Sequence, residues 1–350
     1  MDNLDCVVYR YRIFIMHTRS HLRNTPSFTQ PSVPAASCLH LIRHFQPVTR
    51  SKLVHGSGKS QPTVTRAVAA LMEAKLVRER PDLSIPNGPG RPTIPIELSA
   101  SPWVQIGVAV GTKTTYVGAY STRGVVIKEK ILDIVPTQMS TDQYAETLAT
   151  AIRKVAELSE LPLANVGIAT SGHVNSLGLV TAKNLGWEGV DLAGRIYNRI
   201  SIPVTVASAI TAIAGAEQQA QNPDVPASSL IFYADDSIGA ALQNPQEVVV
   251  LPIDENIHGA SSLGASAVAL VEQTRPKVIV LAGSAFENSE DALAVGQALR
   301  KSPHGTKDKL EIRVIPTHLD NARAAARAIA MDRLMEDPLG LAKRLITKRR

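Results

Sequence analysis

From Ser37 onward the apolar positions Leu39, Ile42 and Phe45 recur at three-residue spacing, which predicts a helix. Pro47-Val48-Thr49 breaks that run, and Thr49 is placed to cap a second helix through Leu53-Val54. A third helix follows. Ser60 is a suitable N-cap, Pro62 is tolerated in the first turn because its missing N–H has no intrahelical partner, and Val64, Val68 and Leu71 line one face until the helix ends near Lys75. Val77-Arg78-Glu79-Arg80 and Thr93 to Leu98 then alternate as a short strand pair around a turn-rich loop, Pro81 to Pro92. Residues 35–98 therefore read as three helices and a hairpin.

Beyond Trp103 strands alternate with helices, which predicts an α/β sheet structure. Val104–Val110, Tyr116–Tyr120 and Val125–Asp133 read as a meander, Thr141–Leu158 as an amphipathic helix and Asn165–Thr170 as a strand. A second cycle has strands at Ile202–Val206, Leu230–Ala234, Lys277–Ala282 and Glu311–Pro316, with helices at Ala209–Gln221, Glu290–Lys301 and Asn321–Met335. Two successive units predict two lobes, 99–205 (completed by the helix 321–335) and 206–320. The polar, proline-bearing stretch before Ser37 predicts that 1–34 is a flexible extension, and 336–350 reads as a basic tail.

Charge sharpens this division. The chain of 350 residues has 37 Lys and Arg against 31 Asp and Glu, a net +6. Residues 35–98 hold nine basic against four acidic residues and the last eight hold five against none, while 99–342 is net −6. A basic head on an acidic body suits nucleic-acid binding by the head. Two cysteines, Cys6 and Cys38, give neither a disulfide framework nor zinc spacing, and a cytoplasmic location is expected. The N-terminal run is interrupted by Arg10 and Arg12, so neither a signal peptide nor a membrane span is expected.

The third helix has the chemistry of a recognition helix, which needs short polar side chains early for base edges and a basic one for phosphate. Ser60, Gln61, Thr63 and Thr65 can hydrogen-bond bases or backbone, and Arg66 can reach a guanine edge or a phosphate. Arg50, Lys52 and Lys59 are candidate phosphate contacts, and Arg91 in the loop 87–92 is placed to enter the minor groove as part of a wing. Gly56-Ser57-Gly58-Lys59-Ser60 imitates a phosphate-binding loop, but Leu53 stands where that motif needs its first glycine and the segment follows a helix.

Thr63-Val64-Thr65-Arg66, Gly90-Arg91-Pro92 and the α/β body together resemble regulators of the ROK family (repressor, open reading frame, kinase) over about 37–335. The resemblance implies a winged helix-turn-helix on a two-lobed, actin-like, sugar-kinase-like body, binding double-stranded DNA as a homodimer or homotetramer and repressing sugar-use genes. Val110-Gly111-Thr112-Lys113 matches the family's phosphate-binding turn. Ser171-Gly172-His173-Val174 and Asn184-Leu185-Gly186-Trp187 match its sugar-side segments, making Gly172, His173, Asn184, Gly186 and Ser208 candidate contacts for a sugar or sugar-phosphate effector. Three departures stand out. Val110 replaces a phosphate-turn glycine, Ser208 falls where the catalytic aspartate belongs when the helix is anchored on Gly215, and 250–275 offers His258 but no cysteine for the family's zinc. The expectation is a regulator without enzymatic activity, cofactor or metal. A kinase with an accessory DNA-binding domain, or a regulator without a sugar ligand, are the alternatives.

Overall fold

The computed structural model describes residues 25–84, 93–254, 257, 259–287, 289–307, 310–315 and 317–347. The head consists of α1 (Pro34–Phe45), α2 (Arg50–Ser57) and α3 (Gln61–Glu73), then β1 (Val77–Glu79) and β2 (Ile96–Leu98), paired antiparallel with Val77 opposite Leu98. Thr49 caps α2 by accepting from the Lys52 amide. Ser60 takes the N-cap position of α3, yet its hydroxyl pairs with Thr63 Oγ1 at 2.9 Å rather than with a helix amide. Between α2 and α3 the chain turns at Gly58, whose φ of +63° is one that a side chain would disfavour. Leu39, Ile42, Leu53, Val64, Val68 and Ile96 close the head's core.

The body holds two five-stranded sheets with the same wiring. In the first, β3 (Val104–Val110), β4 (Thr115–Ser121) and β5 (Val126–Leu132) form an antiparallel meander. β6 (Leu163–Thr170) then lies parallel to β3, after a crossover through α4 (Thr141–Glu157). A small antiparallel sheet of β7 (His173–Val174), β8 (Val180–Ala182) and β9 (Trp187–Val190) intervenes before α5 (Leu192–Ile200) and β10 (Val204–Ser208), which is parallel to β6. After α6 (Ala209–Ala220) the pattern repeats. β11 (Ser229–Ala234), β12 (Ile238–Gln243) and β13 (Val248–Leu251) meander, then α7 (Ala260–Thr274) leads to β14 (Val278–Ala282), parallel to β11. α8 (Ser289–Lys301) and α9 (Pro303–Lys307) lead to β15 (Glu311–Val314), parallel to β14.

The elements follow from their sequences. β3 is buried except at Ala109 and β11 is buried throughout, and both are mostly apolar, as central strands sandwiched between helices must be. β5 carries Lys128, Glu129 and Lys130 and forms a charged edge that resists further pairing. α4 starts on a capping box, with Ser140 accepting from the Gln143 amide and the Gln143 side chain accepting from the Ser140 amide.

The last long helix, α10 (His318–Glu336), joins all parts. It runs across the backs of β3 and β6, where Gly107 and Gly167 leave room for its backbone at Ala326 and Ile329. Its other faces meet α6 and, through Ala330, Met331 and Leu334, the core of the head. It thus packs against both lobes, whereas the sequence places it only with the first.

Two further expectations are corrected. Residues 25–34 are not a loose extension: Phe28 is 3% exposed, its ring lies against Gly215 of α6, and the Ser27 and Phe28 amides donate to the Asp332 carboxylate at 3.1 and 3.0 Å. One aromatic ring on a glycine seat supplies the burial that the polar composition does not. The basic tail is largely a helix, α11 (Pro338–Thr347), which buries Leu341 and Ala342 against the head. Residues 1–24 and 348–350 lie outside the described residues.

Candidate nucleic-acid interface and interlobe cleft

The buried face of α3 is Val64, Ala67, Val68 and Leu71, and the opposite face presents Gln61, Thr65 and Arg66 to solvent beside the exposed Ser60. Thr63 and Lys59 are half-buried at the same end. Arg66 makes one long bond, 3.4 Å, to the Pro62 carbonyl of its own helix, so its guanidinium retains most of its donors. Arg50 is placed differently from expectation, because it binds Glu79 of β1 at 2.7 Å and both partners are about one-third exposed. That pair ties α2 to the hairpin. Arg78 and Arg80 are likewise held by Glu97 and Asp82, while Lys52 sits 4.0 Å above the Phe45 ring. Arg91 and the rest of the wing loop, 85–92, lie outside the described residues, as does His258.

The head is bolted to the body. Arg43 donates to the Thr122 carbonyl at 3.3 Å, and Arg123, in the same β4–β5 turn, donates to the carbonyls of Leu98 and Ser99. Cys38 is buried in α1 within the shared core, and burial raises its thiol pKa to about 11.

Between the lobes lies a cleft of about 200 Å³. Its floor comes from the ends of β3 and β6, one wall from Gly111 and Thr112 in the β3–β4 turn, the other from Asp235, Asp236 and Ser237 in the β11–β12 turn, and its roof from the start of α10. Because the two sheets share one topology, these turns are equivalent places in the two lobes. Thr112 Oγ1 donates to Asp236 across the gap. Asp235 accepts from Ser284 Oγ at 2.6 Å and Tyr233 Oη at 3.1 Å, and pairs with His318 Nδ1 at 2.8 Å. Burial works to raise the Asp235 pKa, but the His318 and Ser284 hydrogen bonds prevail and bring it down to about 2. His318 is raised mainly by its bond to Asp235. The pair therefore ties the β11–β12 turn to the start of α10 above the ordinary aspartate range and loses strength as pH rises past the histidine.

The residues expected to meet a sugar lie elsewhere. Gly172, at φ +80°, lets the chain pass under Thr181 and Ala182, and Gly186, at φ +69°, ends the turn before β9. His173 is exposed on β7. Asn184 accepts from Ser171 Oγ at 3.2 Å, and of that group only Ser171 lines the cleft. Ser208 is 8% exposed and caps α6, accepting from the Thr211 amide and pairing with Thr211 Oγ1 at 2.7 Å. Sequence reasoning missed Asp235, Asp236, His318 and Asn321. The repeat of strand, turn, strand at 230–242 was the available signal, since it marks a second cleft turn with carboxylates in place of glycine.

Two lobes of equal wiring around a cleft, with α10 laid across both, define the actin-like class that includes sugar kinases and repressors built from them. Residues 105–248 match the profile described as the ROK family. Among curated proteins, transcriptional regulators of Mycobacterium tuberculosis and Mycobacterium bovis are 28% identical over 335 residues, covering 89% of this chain and 74% of theirs. Among solved structures, a ROK family transcriptional regulator, homolog of the E. coli MLC protein, superposes with a TM-score of 0.69 at 15% identity, covering 89% of this chain and 99% of that one. The ROK hexokinase from Thermus thermophilus gives 0.53 at 15% identity over 65% of this chain and 97% of its own. These structural likenesses establish the fold. Among the described residues, no helix is long and apolar enough to cross a membrane.

Proposed function

We propose that this chain is a sequence-specific, double-stranded-DNA-binding transcriptional repressor, working in the cytoplasm as a homodimer or homotetramer, whose body assembles the protein and responds to a small molecule instead of transferring phosphate. The observation that carries the reading is α3. Its apolar face is locked in the head's core while Gln61, Thr65 and Arg66 stand together on the exposed face at its N-terminal end. In a winged helix-turn-helix that end enters the major groove. The names of the curated relatives support the same reading.

Phosphoryl transfer finds little support in the cleft. Ser208 stands where the resemblance expects a general base, and its hydroxyl is occupied in capping α6. The second cleft turn presents Asp235 and Asp236, whose charge opposes a nucleotide's phosphates.

The test is operator binding by fluorescence anisotropy, using DNA recovered by genome-wide occupancy. Arg66→Ala is expected to weaken binding about ten- to hundredfold, a cost of about 1–3 kcal/mol. A lower salt slope with uniform loss across sequences would assign Arg66 to phosphate, and relaxed specificity at one base pair would assign it to a base edge. Unchanged affinity would remove α3 as the reading element.

A further inference from the structure

We propose that the interlobe cleft binds a small amine, a protonated ammonium or amidine head on a compact apolar body, with Asp236 and Asn321 as its acceptors. The inference rests on the reading of the body as a ligand-responsive module and replaces the sugar or sugar-phosphate expected from the resemblance.

The chemistry of the walls selects this class. Among the described residues that line the cleft none is lysine or arginine, and its one basic side chain, His318, is engaged by Asp235. A phosphate would find no unengaged cation and would face two carboxylates, Asp235 and Asp236. The surroundings are otherwise largely apolar, through Val110, Ile131, Ile213 and Leu319. A polyol would therefore leave most of its hydroxyls unpaired, which is costly in a confined site.

What the cleft offers is acceptors. Asp235 is already satisfied by Tyr233, Ser284 and His318. Asp236 is exposed and receives only the Thr112 hydroxyl, which leaves lone pairs available. Asn321 supplies an independent sign of a missing donor. It is 3% exposed and lines the cleft, its Nδ2 donates to the Thr317 carbonyl at 2.9 Å, and its Oδ1 has no partner among the described residues. A buried acceptor left unpaired costs about 1–3 kcal/mol, and a ligand N–H removes that cost. An ammonium head carries three donors, enough for a carboxylate and an amide oxygen at once.

Calorimetry on the full chain tests this with phenethylamine, cyclohexylmethylamine and agmatine as probes. Phenylpropanoate, of similar body and opposite charge, glucose 6-phosphate and ATP serve as comparisons. At least one amine is expected to bind once per chain, with the anions silent, and Asp236→Asn should weaken it about tenfold or more. Asn321→Leu should abolish the binding while keeping or raising Tm, since it removes the orphaned oxygen. Silence from all three amines, binding of an anion as tight as that of any amine, or amine affinity indifferent to Asp236→Asn would each overturn the proposal. Binding is read on protein alone, so its failure leaves the DNA assignment standing, and a failed operator assay leaves the calorimetry intact.

Discussion

Replacing Gly107 with valine lowers the unfolding free energy by about 3 kcal/mol or more, at the upper end of what overpacking usually costs. A Cβ at this position would fall on the Ala326 carbonyl of α10 and against the Tyr120 ring. The first of these is backbone and cannot rotate away, so α10 must lift from the sheet. Lifting it disturbs both lobes and the head, because the same helix contributes to two cores, one shared by the head and the first sheet and one between the lobes. Denaturant unfolding gives the value, with Gly296→Ala as the contrasting variant. Gly296 lies in α8 with nothing within 4 Å of an added Cβ, and alanine there should stabilise by about 0.4–1 kcal/mol through lower unfolded-state entropy. A Gly107→Val protein with wild-type stability would mean that α10 does not seat on β3 in solution.

The second large effect concerns pH. Asp332 is fully enclosed, and burial raises its pKa to about 6 despite the Phe28 and Ser27 amides that favour its charged form. Glu336 pushes in the same direction and Arg333 opposes it. In the unfolded chain the same group titrates near 3.8. The folded state therefore binds the proton more tightly between these values, and stability falls as pH rises from about 4 through about 6. At neutral pH the ionised carboxylate costs about 3 kcal/mol relative to an unshifted group. Asp332→Asn removes the titration, so the stability difference between variant and wild type should move by about that amount in the variant's favour from pH 4 to pH 7. Asparagine can accept from only one of the two amides in the same way, which offsets about 1 kcal/mol of this at every pH. Parallel stability curves for the two proteins would show that Asp332 is not enclosed.

Much of this architecture was legible in the chain because the signals are local. The three-residue spacing in α1, the cap at Thr49, the alternation of β2 and the apolar run of β14 each act over one or two turns or strands, and the structure keeps them. What escaped depends on distant residues. Phe28 lies in a polar, proline-bearing stretch, and only its seat on Gly215 and the carboxylate of Asp332, some 300 positions away, hold that stretch in place. α11 carries Lys343 and Arg344 among Leu341, Ala342 and Leu345, and the charge concealed an apolar stripe. In the cleft, Asp235 and Asp236 look like ordinary turn residues until the repeated sheet wiring sets them opposite Gly111 and Thr112. The candidate sugar residues followed from motif order, which fixed their neighbourhood but not which side chains point into the gap.

The placement of α10 has a mechanical consequence. Asn321 at one end lines the cleft, and Leu334, about 20 Å along the same rod at 1.5 Å per residue, is packed into the core of the head. A stiff helix transmits tilt without loss along its length, so a small shift of its first turn becomes a displacement of the head with no loop to absorb it. The glycine seats at 107 and 167 act as the fulcrum of that lever. If the head reads DNA and the cleft takes a ligand as proposed, a substitution that merely loosens the fulcrum, leaving both ends chemically intact, should leave both bindings in place but uncouple one from the other.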